Sequence, residues 1–141
     1  GSIPVISDVE FDPADYPDRN VILYGNKDNN AAWNPLLADC PIQISVGQAR
    51  IGEVAVSGDQ WGTYFIYPRP DSDLASVGVV SSTGKPGMKA AFDNTYLENG
   101  TTFPDFLLFD EEVLTRGNAA VKCAGFFGNN WSVEEGDFEW K

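Results

Sequence analysis

Apolar positions along the chain come in two kinds of burst. Val21-Ile22-Leu23-Tyr24, Val77-Gly78-Val79-Val80 and Phe106-Leu107-Leu108-Phe109 are short continuous runs. Such runs predict strands covered on both faces, the pattern of a sheet with layers above and below it. Residues 42–56 differ. Ile42-Gln43-Ile44-Ser45-Val46 alternates with period two, Gly47-Gln48 interrupts it, and the alternation resumes from Ala49 to Val56, which predicts a hairpin or meander. Tyr64-Phe65-Ile66-Tyr67 adds a strand closed by Pro68-Arg69-Pro70-Asp71, and residues 119–127 read as the last strand before a tail rich in Gly, Glu and Trp.

Helical punctuation falls between these runs. Asn30 is a good N-cap for residues 31–39, with Pro35 tolerable if it lies in the first turn. A short helix is predicted near residues 88–92, and another over 111–116, capped by Asp110 and ended by Gly117. The expected architecture is α/β: a mixed, mostly parallel sheet flanked by short helices, with an inserted antiparallel meander. Residues 1–20 read as an extended, acidic lead-in that arrives from an upstream domain, opened by a Gly1-Ser2 pair that resembles a cleavage remnant. Residues 21–141 read as a single α/β domain.

Composition narrows the chemistry. The 141 residues carry 21 acidic and 9 basic side chains, a net charge of −12, and no histidine. The acidic balance argues against nucleic acid and anionic membranes as partners, since both require Lys and Arg against phosphate. No apolar stretch approaches the roughly 20 residues that span a bilayer, so no membrane insertion is expected. Without histidine the chain cannot build a Ser-His-Asp triad, a Cys-His pair or a histidine metal ligand. Cys40 and Cys123 read as small buried residues, with a disulfide as the alternative in an oxidising compartment. No metal or cofactor is expected.

In open α/β sheets, ligands bind beyond the carboxyl ends of the parallel strands. Three polar loops fit that description. They supply Asn26, Asp28 and Asn30 from the first, Ser82, Thr83 and Lys85 from the second, and Asn129, Asn130 and Trp131 from the third. The same residue types are ordinary punctuation of strand ends. Neither phosphate-loop nor nucleophile-elbow spacing is met: Val79 stands where the first would need glycine, Pro86 where it would need a hydroxyl, and Val80 where the elbow would need glycine. Carboxylates such as Asp105, Asp110, Glu111, Glu112, Glu134, Glu135, Asp137 and Glu139 are numerous enough to pair by chance. Trp33, Trp61, Trp131 and Trp140 suit sugar stacking or core packing. Asn99-Gly100-Thr101 and Asn130-Trp131-Ser132 match the glycosylation sequon.

Two longer stretches, Asp18-Arg19-Asn20-Val21-Ile22-Leu23-Tyr24-Gly25-Asn26 and Ala124-Gly125-Phe126-Phe127-Gly128-Asn129-Asn130-Trp131-Ser132, resemble the C-terminal portion of large bacterial serine hydrolases of the prolyl-oligopeptidase-like, α/β-hydrolase class. Tyr67-Pro68-Arg69-Pro70 and Ser82-Thr83-Gly84 fall where similar pieces occur. The resemblance implies an accessory, non-catalytic role beside a peptidase or esterase domain of the same polypeptide. It also implies a periplasmic or extracellular address and a peptide or polysaccharide substrate for the whole. Because the triad of such proteins lies in the hydrolase domain, no catalytic residue carries over. A carbohydrate-binding module and a carboxylate-based glycoside-processing enzyme are the competing expectations. If the accessory reading holds, an apolar patch should stay exposed where the partner domain docks, with Trp33, Trp131 or Trp140 as candidates.

Overall fold

The computed structural model describes residues 3–94 and 104–141. Nine strands and three short helices are seen among them: β1 (Val21–Tyr24), α1 (Trp33–Leu37), β2 (Ile42–Ser45), β3 (Gln48–Ile51), β4 (Val54–Ser57), β5 (Gly62–Pro68), β6 (Ser76–Ser82), α2 (Lys85–Asp93), β7 (Phe106–Phe109), α3 (Val113–Arg116), β8 (Val121–Phe126) and β9 (Asp137–Trp140). The Asn99-Gly100-Thr101 sequon, most of the polar loop expected from residue 93 to 100, and Gly1-Ser2 lie outside the described residues.

The expected helix-flanked, mostly parallel α/β sheet is not what forms. The chain is mostly β, with a mixed six-stranded sheet ordered β1-β6-β5-β7-β8-β9 and a separate three-stranded antiparallel sheet, β2-β3-β4. Among the described strands only β1 and β6 pair in parallel; β5 with β6, β5 with β7, β7 with β8 and β8 with β9 are antiparallel. The error has a physical source. A continuous apolar run records cover on both faces and carries no strand direction, and central antiparallel strands with layers on either side read the same way.

Phe106–Phe109 shows the two-faced cover directly. Phe106 and Leu108 enter one core with Phe65, Val77, Val79, Cys123, α1 and the inner face of the small sheet. Leu107 and Phe109 enter a second core with Tyr64, Val80 and the Ala90-Ala91 face of α2. The small sheet obeys its alternation: Ile42, Ile44, Ala49 and Ile51 point inward and are fully buried, while Gln43, Ser45, Gln48 and Arg50 point out. β1 departs from expectation. It is an edge strand with only Leu23 buried, and Ile22 and Tyr24 stand 63% and 54% exposed on the second face.

The ends of the chain also differ. Part of the tail after residue 127 folds back as β9, whose Phe138 and Trp140 lie against the first core. The helix expected over 31–39 contracts to Trp33–Leu37, with Pro35 in its first turn. The lead-in, expected to be extended, is broken by turns at residues 8–10 and 17–18 and by a 3-10 turn at Pro13–Asp15, and it lies along the domain.

Candidate functional site

Strand direction decides which loops share an end of the sheet. Because β1 and β6 are parallel, residues 25–30 and 81–87 emerge side by side, and Gly25 N donates to the Val80 carbonyl at 3.0 Å. β8 runs opposite to both, so Asn129, Asn130 and Trp131 lie at the other end of the sheet. The nine candidate residues therefore form two groups and not one cleft.

In the first group Asn26 is buried, and its carboxamide organises both loops. Nδ2 donates to the Ser82 carbonyl at 3.0 Å, and Oδ1 accepts from the backbone N–H groups of Asp28 at 2.9 Å and Asn29 at 3.2 Å. Asn29 Oδ1 in turn accepts from Asn26 N at 2.7 Å. Asp28 Oδ2 accepts from Val46 N at 2.8 Å, which ties the loop to the small sheet. Asn30 does not directly cap α1. Its Oδ1 accepts from Ala32 N at 2.8 Å while its Nδ2 donates to the Tyr24 carbonyl at 2.8 Å, holding the turn before the helix.

Thr83 is fully buried, and its Oγ1 accepts from Trp61 N at 3.2 Å, while its backbone carbonyl accepts from Gly47 N at 2.9 Å. Ser82 is buried, and Lys85 is exposed at the first turn of α2. The Asn26, Asp28 and Thr83 side chains are spent on joining these loops to one another, to the small sheet and to Trp61, as buried polar groups must be paired. Ser81, passed over in the sequence, is fully buried, and its hydroxyl has no hydrogen-bond partner among the described residues. No sequence signal marks it, since its burial depends on non-local cover.

At the other end, Asn129 and Asn130 are exposed and Trp131 is half-buried. Trp131 sits at φ +60, a conformation that costs a bulky residue about 1–3 kcal/mol and persists only where the surroundings impose it. They do so here. Its ring packs edge-on to Tyr67 at 6.0 Å and tilted against Phe127 at 5.6 Å, while the 128–132 turn closes through Gly128 N to the Ser132 carbonyl at 3.0 Å. Asn130 Oδ1 accepts from both the N–H and the hydroxyl of Ser132.

The tryptophans do not form a stacking platform. Trp33 is completely buried, and Trp61, Trp131 and Trp140 are half-buried. The exposed large apolar side chains are others, and Ile22, Tyr24 and Phe92 gather on the second face, with the Tyr24 and Phe92 rings stacked at 5.8 Å and 11°. Among the candidate carboxylates, Asp105 accepts from Phe127 N, Asp110 from Glu112 N, and Glu112 pairs with Arg116. Glu134, Glu135, Asp137 and Glu139 are exposed. Among the described residues no group of three or more Cys, Asp or Glu is placed to hold a metal ion, and no helix is long and apolar enough to cross a membrane.

Both thiols are free and buried. Burial pushes Cys40 and Cys123 up to about 12, and the Tyr64 hydroxyl likewise to about 12. In the unfolded chain these groups ionise nearer their ordinary values of 9.0 for the thiols and 10.0 for the phenol. Their contribution to stability is therefore complete below about pH 9 and drains as pH rises toward 12, because only the unfolded state releases the protons. The urea midpoint is expected to fall steadily above about pH 9, with less slope in a Cys40→Ala/Cys123→Ala variant. A midpoint flat to pH 11 (about two pH units above the ordinary thiol value) contradicts this.

Comparison with protein-family models, with curated proteins and with solved structures returned no match.

Proposed function

We propose that this chain is a non-catalytic accessory domain of a multidomain, exported bacterial serine hydrolase, packing against the hydrolase domain of the same polypeptide and helping to shape its substrate cleft. The observation that carries the reading is the patch formed by Ile22, Tyr24 and Phe92, which are 63%, 54% and 61% exposed. It lies beside an edge strand in a molecule of net charge −12, and none of its three side chains is charged. Covering apolar surface of this kind is worth roughly 25 cal/mol per Å², and contiguous exposed patches mark interaction sites.

The resemblance of residues 18–26 and 124–132 to the C-terminal portion of such hydrolases supports the same reading and suggests the kind of partner. So does the sequence's lack of histidine, which leaves a triad to another domain. A periplasmic or extracellular address and a peptide or polysaccharide substrate belong to the proposal for the whole polypeptide. Sugar binding by this chain draws less support, since its four tryptophans are buried or half-buried.

The test begins with the reading frame, which is expected to encode a hydrolase domain. In that full polypeptide, the amides of Ile22 and Tyr24 should exchange hydrogen at least tenfold more slowly than in the 141-residue chain alone. Tyr24→Lys with Phe92→Lys should abolish the difference. A frame without a hydrolase domain, or equal exchange in both contexts, overturns the proposal.

A further inference from the structure

We propose that residues 8–20 are a latch, a strap that docks on the rest of the chain and leaves it as one unit, with the Arg69 guanidinium as its anchor. The Arg69 side chain is completely buried, and every one of its five N–H donors is used. Nε and Nη2 bind the Asp71 carboxylate at 2.9 and 2.6 Å, a two-point pairing within the β5–β6 turn. The remaining donors go to strap carbonyls: Nη1 to Tyr16 at 2.7 Å and Arg19 at 2.6 Å, and Nη2 to Pro13 at 3.1 Å.

This division makes the strap separable. Asp71 belongs to the domain and neutralises Arg69 whether or not the strap is present, so undocking leaves no unpaired buried charge, the outcome that normally forbids such an opening. No residue from 8 to 20 is fully buried and none pairs in a strand; β1 begins at Val21. Phe11 lies at the edge of the first core, and the other ties are polar. Ala31 N donates to Asp8 Oδ2 at 2.6 Å, Ser72 Oγ to Asp18 Oδ1 at 2.6 Å, and Ser76 N to Asn20 Oδ1 at 2.9 Å. Segments with few buried apolar contacts open below the free energy of global unfolding.

The strap also has its own structure, which is why it moves as a unit. Glu10 N and Phe11 N bond to the Ser7 carbonyl, Ala14 N to Asp12 Oδ1, Asp15 N to the Asp12 carbonyl and Tyr16 N to the Pro13 carbonyl. Phe11 and Tyr16 stack at 5.9 Å, and Arg19 lies 6.0 Å over the Tyr16 ring. Charge opposes docking: Asp18 shares a shallow cavity with Asp73, and Glu10, Asp12 and Asp15 add to the same sign in a chain of net charge −12. Salt screens that repulsion and favours the closed latch. Docked, the chain preceding Asp8 leaves from a fixed point beside α1. Undocked, residues 8–20 become a tether that reaches roughly 40 Å at full extension. The latch converts a fixed connection to a loose one, and it stands independently of what lies upstream.

Hydrogen exchange on the 141-residue chain tests this. The amides of Glu10, Phe11, Ala14, Asp15 and Tyr16 should exchange together, at least tenfold faster than the hydrogen-bonded amides of β5 and β7. They should slow when salt rises from about 0.05 to about 0.5 M. Arg69→Lys keeps the charge but lacks the five-donor fork. It should speed the strap amides at least tenfold further and leave β5 and β7 within twofold. Strap amides that exchange only with the core, or at unrelated rates, or unchanged in Arg69→Lys, overturn the latch. Should that variant not fold, the wild-type comparison of strap with core decides alone.

Discussion

Trp33→Ala is expected to cost about 3–5 kcal/mol and to lower the melting temperature by roughly 10–20 °C. The residue has no exposed surface, lies among Leu36, Leu37, Ile42, Ile44 and Phe65, and meets the Phe65 ring edge-on at 6.1 Å and 74°. Truncation removes the largest fully buried side chain. A polar bridge goes with it. Trp33 Nε1 donates to Gln43 Oε1 at 2.9 Å, and Gln43 Nε2 in turn donates to the Leu37 and Cys40 carbonyls at 2.8 and 2.9 Å. That bridge ties the end of α1 to β2, so losing Trp33 leaves a half-buried amide oxygen unpaired as well as a cavity. Urea unfolding should show a lower midpoint at an unchanged slope. A loss below about 1 kcal/mol would mean that the tryptophan is not the keystone of the first core, and would reopen its use as a surface stacking group.

Gly87→Ala is expected to destabilise by at least about 3 kcal/mol, although helix propensity alone favours alanine by about 1 kcal/mol. A Cβ at Gly87 would lie 2.0 Å from the Trp61 carbonyl oxygen and 2.4 Å from its carbon, and backbone cannot rotate away as a side chain can. The helix would have to lift from β5, stretching the Gly87 N to Asp59 carbonyl bond and the Trp61–Thr83 pairing that closes the loop. Gly62 marks the other side of the same approach, since a Cβ there would meet the Gly87 carbonyl at 2.7 Å. Gly78→Ala is the control. Its nearest non-local neighbour would be Ile22 Cγ1 at 3.9 Å, so it should be neutral or stabilise by up to about 1 kcal/mol through the unfolded chain. Equal effects at Gly78 and Gly87 in thermal unfolding would refute the close approach of α2 to β5.

Thr83, Asn26 and Ser82 stood out in the sequence as polar residues at a strand end, and two of the three loops do meet because β1 and β6 are parallel. What the residues do there depends on groups far away in sequence: the Ser82 carbonyl for Asn26, Trp61 for Thr83, Val46 for Asp28. Arg69 illustrates the converse. It was visible only as part of a Pro-Arg-Pro turn, yet three of its five hydrogen bonds hold the lead-in. No local spacing reveals a side chain whose partners are main-chain carbonyls some 50 positions earlier.

The sequence by itself determined where most of the strands and turns lie, β9 excepted, and which chemistries are closed to the chain. Period two at residues 42–56 produced the small sheet, because alternating side chains must sort to opposite faces. The run Phe106–Phe109 demanded cover on both sides and has it. Gly117 ended α3 at φ +57, and the lack of histidine follows from composition alone. Only the tertiary structure decided strand order and direction, the edge position of β1, the return of the tail as β9, the separation of the 128–132 loop from the other two, and the burial of Trp33. These depend on which distant segments pair and stack. Local hydrophobic patterning states how much of a segment must leave water, and says nothing of which surface receives it.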